Sequence, residues 1–339
     1  MGRLCATIPR LGETMILAVS FEANDAHRKI ISETLGNMAD IRYLTDLKAA
    51  ERHDILSRTD VLLARNTAKE LRPEELPLLR KALLIQFLSA GIDYIPLNGL
   101  AAEIPLAGNG GAYAQQMSEH AVAMALAAAK RLLVEHQNLS RGQFNQFTPN
   151  KVLSGKICGF FGFGGYGVAT ARLMRCLGMR IHAINRRGAA DEPVDWIGRP
   201  DRLHELMAAS DVLVISAPLT RATQGAIGER ELSLMKDDAI LVNLARGEII
   251  DEAALYEHLK AKPQFTACID AWWIEPVRHG EFRMNRPFME LPNVIGSPHN
   301  SASVANAFEV ALRHAVANCR RALLGEKPLH LITPEERMS

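Results

Sequence analysis

Three short segments each set ionisable side chains just past an apolar run. "ILVNLARGEIIDEAAL" (240–255) places Arg246 after one run, and "CIDAWWIEPV" (268–277) places Asp270 and Glu275 after the next. "NVIGSPHNSAS" (293–303) places His299 after a third. The set holds a guanidinium of fixed charge, two carboxylates and an imidazole that titrates near neutrality. Ligands of open α/β sheets bind at the carboxyl ends of strands, so side chains at three such ends can converge on one spot. Taken singly, Arg246 also reads as a surface or ion-pair arginine, and His299 as a capping or core histidine.

A second motif, "KICGFFGFGGYGVATARLM" (156–174), reads as a buried strand, a GxGxxG turn and a helix. Between a strand and a helix this motif is far more specific than on its own. Gly162 permits the tight turn, Gly164 lets backbone N–H groups approach a pyrophosphate, and Gly167 lets the helix pack close to the strand. The helix N-terminus then turns its free donors and positive dipole end to the phosphates. A glycine-rich turn without a ligand is the alternative.

The next strand, "RIHAI" (180–184), runs into Asn185, Arg186 and Arg187. An acid at its end would hold the adenosine ribose 2′-OH of NAD and repel a 2′-phosphate. Two guanidinium groups in its place point to NADP(H) as the preferred cofactor, with NAD(H) also accepted, because arginine suits phosphate geometry. A solvated basic turn that touches nothing is the competing interpretation. Which of Arg186 and Arg187 would meet the phosphate stays open.

These residues need a scaffold, and the rest of the chain describes one. Short apolar runs alternate with helical patterns, which argues α/β with parallel sheets. Strands are expected at 15–20, 40–44, 60–64 and 83–87, with helices near 25–36 and 74–81. A turn-rich stretch, 98–111, suits a domain boundary. A long helix over 112–138 follows, containing "AVAMALAAA" (121–129), too short to span a bilayer and read as buried. The second run gives strands at 156–161, 180–184, 211–216, 239–243, 265–270 and 293–297, with a helix opening on Asp251 and Glu252. A last helical pattern, roughly 303–323, comes after the second domain and is placed to pack back on the first.

The bulk composition agrees. At 339 residues and 48% apolar content the chain suits two domains with large cores. Lys plus Arg total 39 against 38 acids, which gives no overall charge for nucleic acid or anionic membrane. Cys5, Cys158, Cys176, Cys268 and Cys319 are odd in number and scattered, so they predict free thiols in a reducing cytoplasm, with no disulfide framework and no metal site. The first fourteen residues read as a loose extension with neither a signal-peptide nor a myristoylation pattern.

With "MSEHAVAMALAAAKR", "GFGGYG", "LVNLARGEIIDEAAL", "IDAWWIEP" and "LPNVIGSPH" in this order, the chain resembles the D-isomer-specific 2-hydroxyacid dehydrogenase family over about residues 60–320. The resemblance implies two doubly wound parallel-sheet domains with the active site in the cleft. One is a flavodoxin-like substrate domain, 1–108 plus 304–339, and the other a Rossmann cofactor domain, 109–303. It implies hydride transfer between NADP(H) or NAD(H) and a small 2-keto or 2-hydroxy acid, in a homodimer. Arg246 then holds the substrate carboxylate and polarises the carbonyl. His299 is the acid/base, and Glu275 is the carboxylate that favours its imidazolium. Asp270 bonds the nicotinamide carboxamide, and Gly162, Gly164, Gly165, Tyr166, Gly167, Asn185, Arg186, Arg187, Leu244 and Ala245 line the cofactor. Ser89, Ala90 and Gly91 receive the substrate carboxylate, and Arg65 faces the substrate. Tyr113, Trp272 and Trp273 either shape the pocket or pack.

The chain departs from the family at Asn300, at "GGAYAQQMSEH" and in the bulky, basic "WWIEPVRHGEFRMNRPF". These changes leave the substrate open, with glyoxylate or hydroxypyruvate reduction expected. Other classes compete with this reading. A non-catalytic nucleotide sensor would keep the same set, though no long disordered regulatory tail accompanies it here. A formate-type oxidase carries Gln where Glu275 stands, and a phosphite-type oxidase is the remaining alternative.

Overall fold

The computed structural model describes residues 14–337. The expected N-terminal extension, with Cys5, therefore lies outside the described residues but for its last position. Contacts divide the chain into two compact units, Met1–Ala112 with Ala305–Ser339, and Tyr113–Val304.

In the first unit β1 (Met15–Val19), β2 (Ala39–Tyr43), β3 (Val61–Ala64), β4 (Leu84–Phe87) and β5 (Leu106–Ala107) form an all-parallel sheet. Its order, β2-β1-β3-β4-β5, is that of flavodoxin-like sheets. β3 and β4 are buried along their whole length. Strands buried on both faces read as continuous apolar runs, which is why they were legible. Helices α1 (Asp25–Leu35), α2 (Ala49–Arg58) and α3 (Thr67–Glu70) connect them. Asn24 caps α1 by accepting from the His27 N–H at 2.9 Å. The expected helix near 74–81 is a 3₁₀ run, Pro73–Lys81, because Pro77 lies inside it and removes a backbone donor.

The C-terminal helix, Ala307–Leu323, begins four residues later than the pattern suggests, after Asn306 in a left-handed conformation. It buries Leu312, Ala315, Val316 and Cys319 in one core with Leu17, Val19 and Leu63. Two buried amides fasten it. Asn109 Nδ2 donates to the Ala311 carbonyl at 2.9 Å, and Asn318 Nδ2 donates to Gln86 Oε1 at 2.6 Å.

The second unit starts with α4 (Ala114–Ala129) and α5 (Leu132–Ser140). One helix over 112–138 was expected, but Arg131 breaks it with φ +54. The chain returning at Lys151 replaces the next helical turn. Its N–H donates to the Ala129 carbonyl at 2.9 Å, and its carbonyl accepts from Lys130 Nζ at 2.7 Å. Ala121, Met124, Ala125 and Ala129 are the buried face of α4.

Beyond them run β6 (Ile157–Phe161), α6 (Gly165–Cys176), β7 (Arg180–Ile184), β8 (Trp196–Gly198), α7 (Leu203–Ala209) and β9 (Val212–Ile215). Then come α8 (Glu229–Ser233), β10 (Ile240–Asn243), α9 (Glu252–Ala261), β11 (Thr266–Ile269), α10 (Pro276–His279) and β12 (Val294–Gly296). The parallel sheet runs β12-β11-β10-β9-β6-β7-β8, a Rossmann order extended by one strand at one edge. Asp251 proves to be the N-cap of α9, its carboxylate accepting from the Ala254 N–H at 2.8 Å. β5 and β8, two and three residues long, had no separate apolar run to announce them.

Candidate active site

The glycine turn leaves β6 toward the switch point between β6 and β9. Gly162 has φ +94, and a Cβ there would lie 2.3 Å from the Ala217 nitrogen. At Gly167 a Cβ would meet Ser216 Oγ at 2.8 Å. Both glycines therefore serve close packing against the end of β9, where Ser216 Oγ donates to the Gly162 carbonyl at 2.6 Å. Gly164 differs, since nothing lies within 4 Å of the Cβ it lacks. The first bond of α6 runs from the Val168 N–H to the Gly164 carbonyl, so the N–H groups of Gly165, Tyr166 and Gly167 have no partner inside the helix. Open space over free donors at the N-terminus of a twelve-residue helix fits a pyrophosphate. The Tyr166 ring packs on the core and burial pushes its phenol up, so the backbone N–H is what this residue offers.

At the end of β7 the Asn185 side chain folds its own turn. Oδ1 accepts from the Gly188 N–H and Nδ2 donates to the Ala189 carbonyl, both at 2.8 Å. Arg186 and Arg187 stand exposed on that turn, and Arg187 lies 3.6 Å from the exposed Asp191.

At the ends of β10, β11 and β12 the ionisable side chains come together. Leu244 is buried in the core. The Ala245 N–H donates to Asn243 Oδ1 at 3.0 Å, and the Ala245 carbonyl accepts from the half-buried Arg246 at 2.7 Å. A Cβ on Gly247 would lie 2.5 Å from the Trp272 carbonyl carbon, so the backbone after Arg246 lies directly on the segment carrying Glu275. His299 Nδ1 is 2.8 Å from each Glu275 oxygen, and the Trp272 N–H donates to Glu275 Oε1 at 2.7 Å. Burial pushes the Glu275 carboxyl up, but these bonds and the Arg246 charge outweigh it and hold the group below the usual carboxylate range.

Asp270 is wholly buried. Its carboxylate accepts from Ser297 Oγ at 2.5 Å, the Asn300 N–H at 3.1 Å and the Ser301 N–H at 3.2 Å. Burial pushes its carboxyl up, yet those donors and the nearby His299 charge leave it below the usual range. The donors bracket His299, which has φ +50, a conformation few side chains adopt unaided. In this structure the Asp270 oxygens anchor the histidine loop, a role that its expected bond to the nicotinamide carboxamide did not include. Two partners escaped notice. His120 Nε2 lies 3.1 Å from Ser297 Oγ, and His279 Nδ1 accepts from the Glu275 N–H at 3.0 Å. The "SPH" spacing was the available clue to Ser297.

Both tryptophans pack. Trp272 Nε1 donates to the Ser297 carbonyl, and Trp273 stacks on Phe288 at 5.3 Å with its Nε1 on the Ile250 carbonyl.

In the first unit Ser89, Ala90 and Gly91 form the loop after β4. The Asn109 N–H donates to the Ser89 carbonyl at 2.8 Å, and Gly108 approaches so closely that a Cβ there would lie 2.4 Å from the Ala90 oxygen. Arg65 is exposed, with its guanidinium 5.5 Å from the Phe308 ring centre.

The family model described as "D-isomer specific 2-hydroxyacid dehydrogenase, NAD binding domain" matches residues 122–301, more than half of the chain. A hydroxypyruvate reductase of Thermotoga maritima is 29% identical over 288 residues, covering 84% of this chain and 92% of the relative. A D-3-phosphoglycerate dehydrogenase of Methanocaldococcus jannaschii is 28% identical over 314 residues, but the chain spans only 58% of its length. The crystal structure of a glycerate dehydrogenase related protein from Thermoplasma acidophilum, 28% identical, superposes with a TM-score of 0.63 over 91% of this chain and 99% of that one. Two parallel α/β sheets of the flavodoxin and Rossmann orders, a dinucleotide-type glycine turn and this match together make the chain a member of the D-isomer-specific 2-hydroxyacid dehydrogenase family, an NAD(P)-dependent oxidoreductase.

Proposed function

We propose that the protein reduces a small 2-keto acid, such as glyoxylate or hydroxypyruvate, to the D-2-hydroxy acid with NADPH as the preferred cofactor. The observation that carries this reading is the His299–Glu275 pair, set beside Arg246 at neighbouring strand ends of the sheet whose glycine turn suits a dinucleotide. A bound nicotinamide dinucleotide supplies the hydride. Arg246 grips the substrate carboxylate and draws charge from its carbonyl. Glu275 occupies Nδ1 of His299, which leaves Nε2 to deliver the proton to the C2 oxygen. Asp270, with Ser297, fixes the loop that aims this nitrogen. Gly164, Gly165 and the Tyr166 N–H hold the pyrophosphate, and Arg186 and Arg187 favour the 2′-phosphate. Ser89, Ala90, Gly91 and Arg65 are assigned to the substrate.

A homodimer accompanies this reading. Leu132, Leu139, Phe144, Phe147 and Val152 expose apolar surface on one stretch of chain, Phe147 at 91%. A cavity of about 550 Å³ opens beside it, with Leu133, Val134 and Pro149 in its wall. Exposed apolar surface on this scale suits burial by a second copy. Buried, unpaired Cys158, Cys268 and Cys319 fit work in a reducing cytoplasm.

Oxidation of NADPH across a panel of 2-keto acids, repeated with NADH, tests the proposal. Turnover with a higher kcat/KM for NADPH is expected. A clear NADH preference would sink the cofactor assignment, and silence across the panel would favour a nucleotide sensor.

A further inference from the structure

The structure assigns a third cation to the cofactor-selecting turn: we propose that Arg199, the residue after β8, binds the 2′-phosphate of the cofactor together with the Arg186–Arg187 turn. The inference rests on the NADP(H) reading and names a contact that the sequence motif does not contain.

The register of the sheet brings Arg199 there. β7 pairs with β8 so that Ile184 faces Gly198, and the Asn185 N–H donates to the Gly198 carbonyl at 3.2 Å. The residue after β8 therefore emerges beside the residue after β7, where the missing acid would stand. The side chain then runs across the turn. Gly188 sits in a left-handed conformation, φ +64, and a Cβ on it would meet Arg199 Cγ at 2.8 Å and Nε at 3.3 Å. The bare glycine thus leaves the track along which the arginine lies. Asn185, by tying its side chain to Gly188 and Ala189, holds that track in shape.

Arg202, the next arginine along the chain, is engaged elsewhere: it pairs with Glu205 and stacks on Trp196. Arg199 is exposed, and no ion pair to a described carboxylate is found for it. An exposed guanidinium held over a turn, with no acid to quench it, suits a doubly charged phosphate monoester.

Calorimetry of the full chain with 2′,5′-ADP and with 5′-AMP separates the phosphate from the adenosine. Arg199→Ala should weaken 2′,5′-ADP binding about tenfold and leave 5′-AMP unchanged, the scale expected for one charge-assisted contact. Arg199→Lys, which keeps the charge, should lose less. Unaltered 2′,5′-ADP affinity in Arg199→Ala would overturn the assignment while leaving the NADP(H) reading intact, and equal weakening of both ligands would overturn it by marking a structural role. A wild-type chain that binds both ligands equally would refute the NADP(H) reading itself.

Discussion

His299 Nδ1 lies 2.8 Å from both carboxylate oxygens of Glu275, so one nitrogen of the imidazole is committed and the other is left for chemistry. Removing the ring should cost what a positioned acid contributes, about 10²–10⁴-fold in kcat. His299→Ala is expected to lose turnover while NADPH affinity, read by fluorescence titration, stays close to wild type. Full activity in that variant would remove the mechanism. Glu275→Gln keeps a hydrogen-bonding partner but not the charge, so kcat should fall while NADPH affinity stays close to wild type. An unchanged kcat would show that the carboxylate plays no part in the work of the histidine.

Asp270 separates a contact role from an anchoring role. Its oxygens are engaged by Ser297, Asn300 and Ser301. Asp270→Asn turns an N–H toward at least one of these donors, at about 1–3 kcal/mol for a buried mismatch. The expected result is a lower Tm and lower kcat with little change in the NADPH Kd. A large rise in Kd with kcat preserved would instead mean that Asp270 contacts the cofactor.

Both carboxyl groups lie below their usual range in the folded chain. A depressed carboxyl stabilises the fold above its unfolded value, about 4 for Asp and Glu, and that contribution is lost as pH falls through the folded value. Tm measured on going below about pH 4 should fall less steeply in Glu275→Gln than in wild type. Parallel acid limbs in the two proteins would contradict the ionised, paired state.

The glycines of the turn should respond differently. Gly162→Ala drives a methyl into the Ala217 backbone at positive φ, at about 2–5 kcal/mol, and calorimetry should show the lower Tm. Gly164→Ala meets open space and should keep its Tm. Its expected defect is weaker NADPH binding, where a methyl crowds the phosphates. Equal Tm losses would show that Gly164 is a packing glycine as well.

Phe144 and Phe147 test the assembly. The double substitution to Ser removes two exposed rings and should leave the monomer folded. Light scattering is expected to report a dimer for wild type and a shift toward monomer for the variant. A monomeric wild type would end that part of the proposal.

Much of this was legible because parallel strands covered on both faces are unbroken apolar runs. The ends of β6, β10, β11 and β12, which carry Gly162, Arg246, Asp270 and His299, follow from such runs. What stayed hidden was decided by tertiary contacts. Nothing local to Arg131 predicts that Lys151 returns to end α4. The motif places Asp270 just past β11 but says nothing of the three donors from the histidine loop that its oxygens accept. Arg199 follows a strand of three residues, too short to register as a pattern, and only the pairing of that strand with β7 sets it beside Asn185.

β12 is three residues long and occupies the edge of its sheet, held on one side by β11. The nucleotide cradle, by contrast, is local in sequence and grows from β6, a strand flanked on both sides. The proposed proton donor thus hangs from one of the two short edge strands of the unit, and the proposed pyrophosphate site from a central strand. Edge strands fray before central ones. Mild heat or denaturant would then first yield a chain that still holds its nucleotide and no longer turns it over, so that loss of catalysis marks the fraying of one edge rather than the melting of the fold.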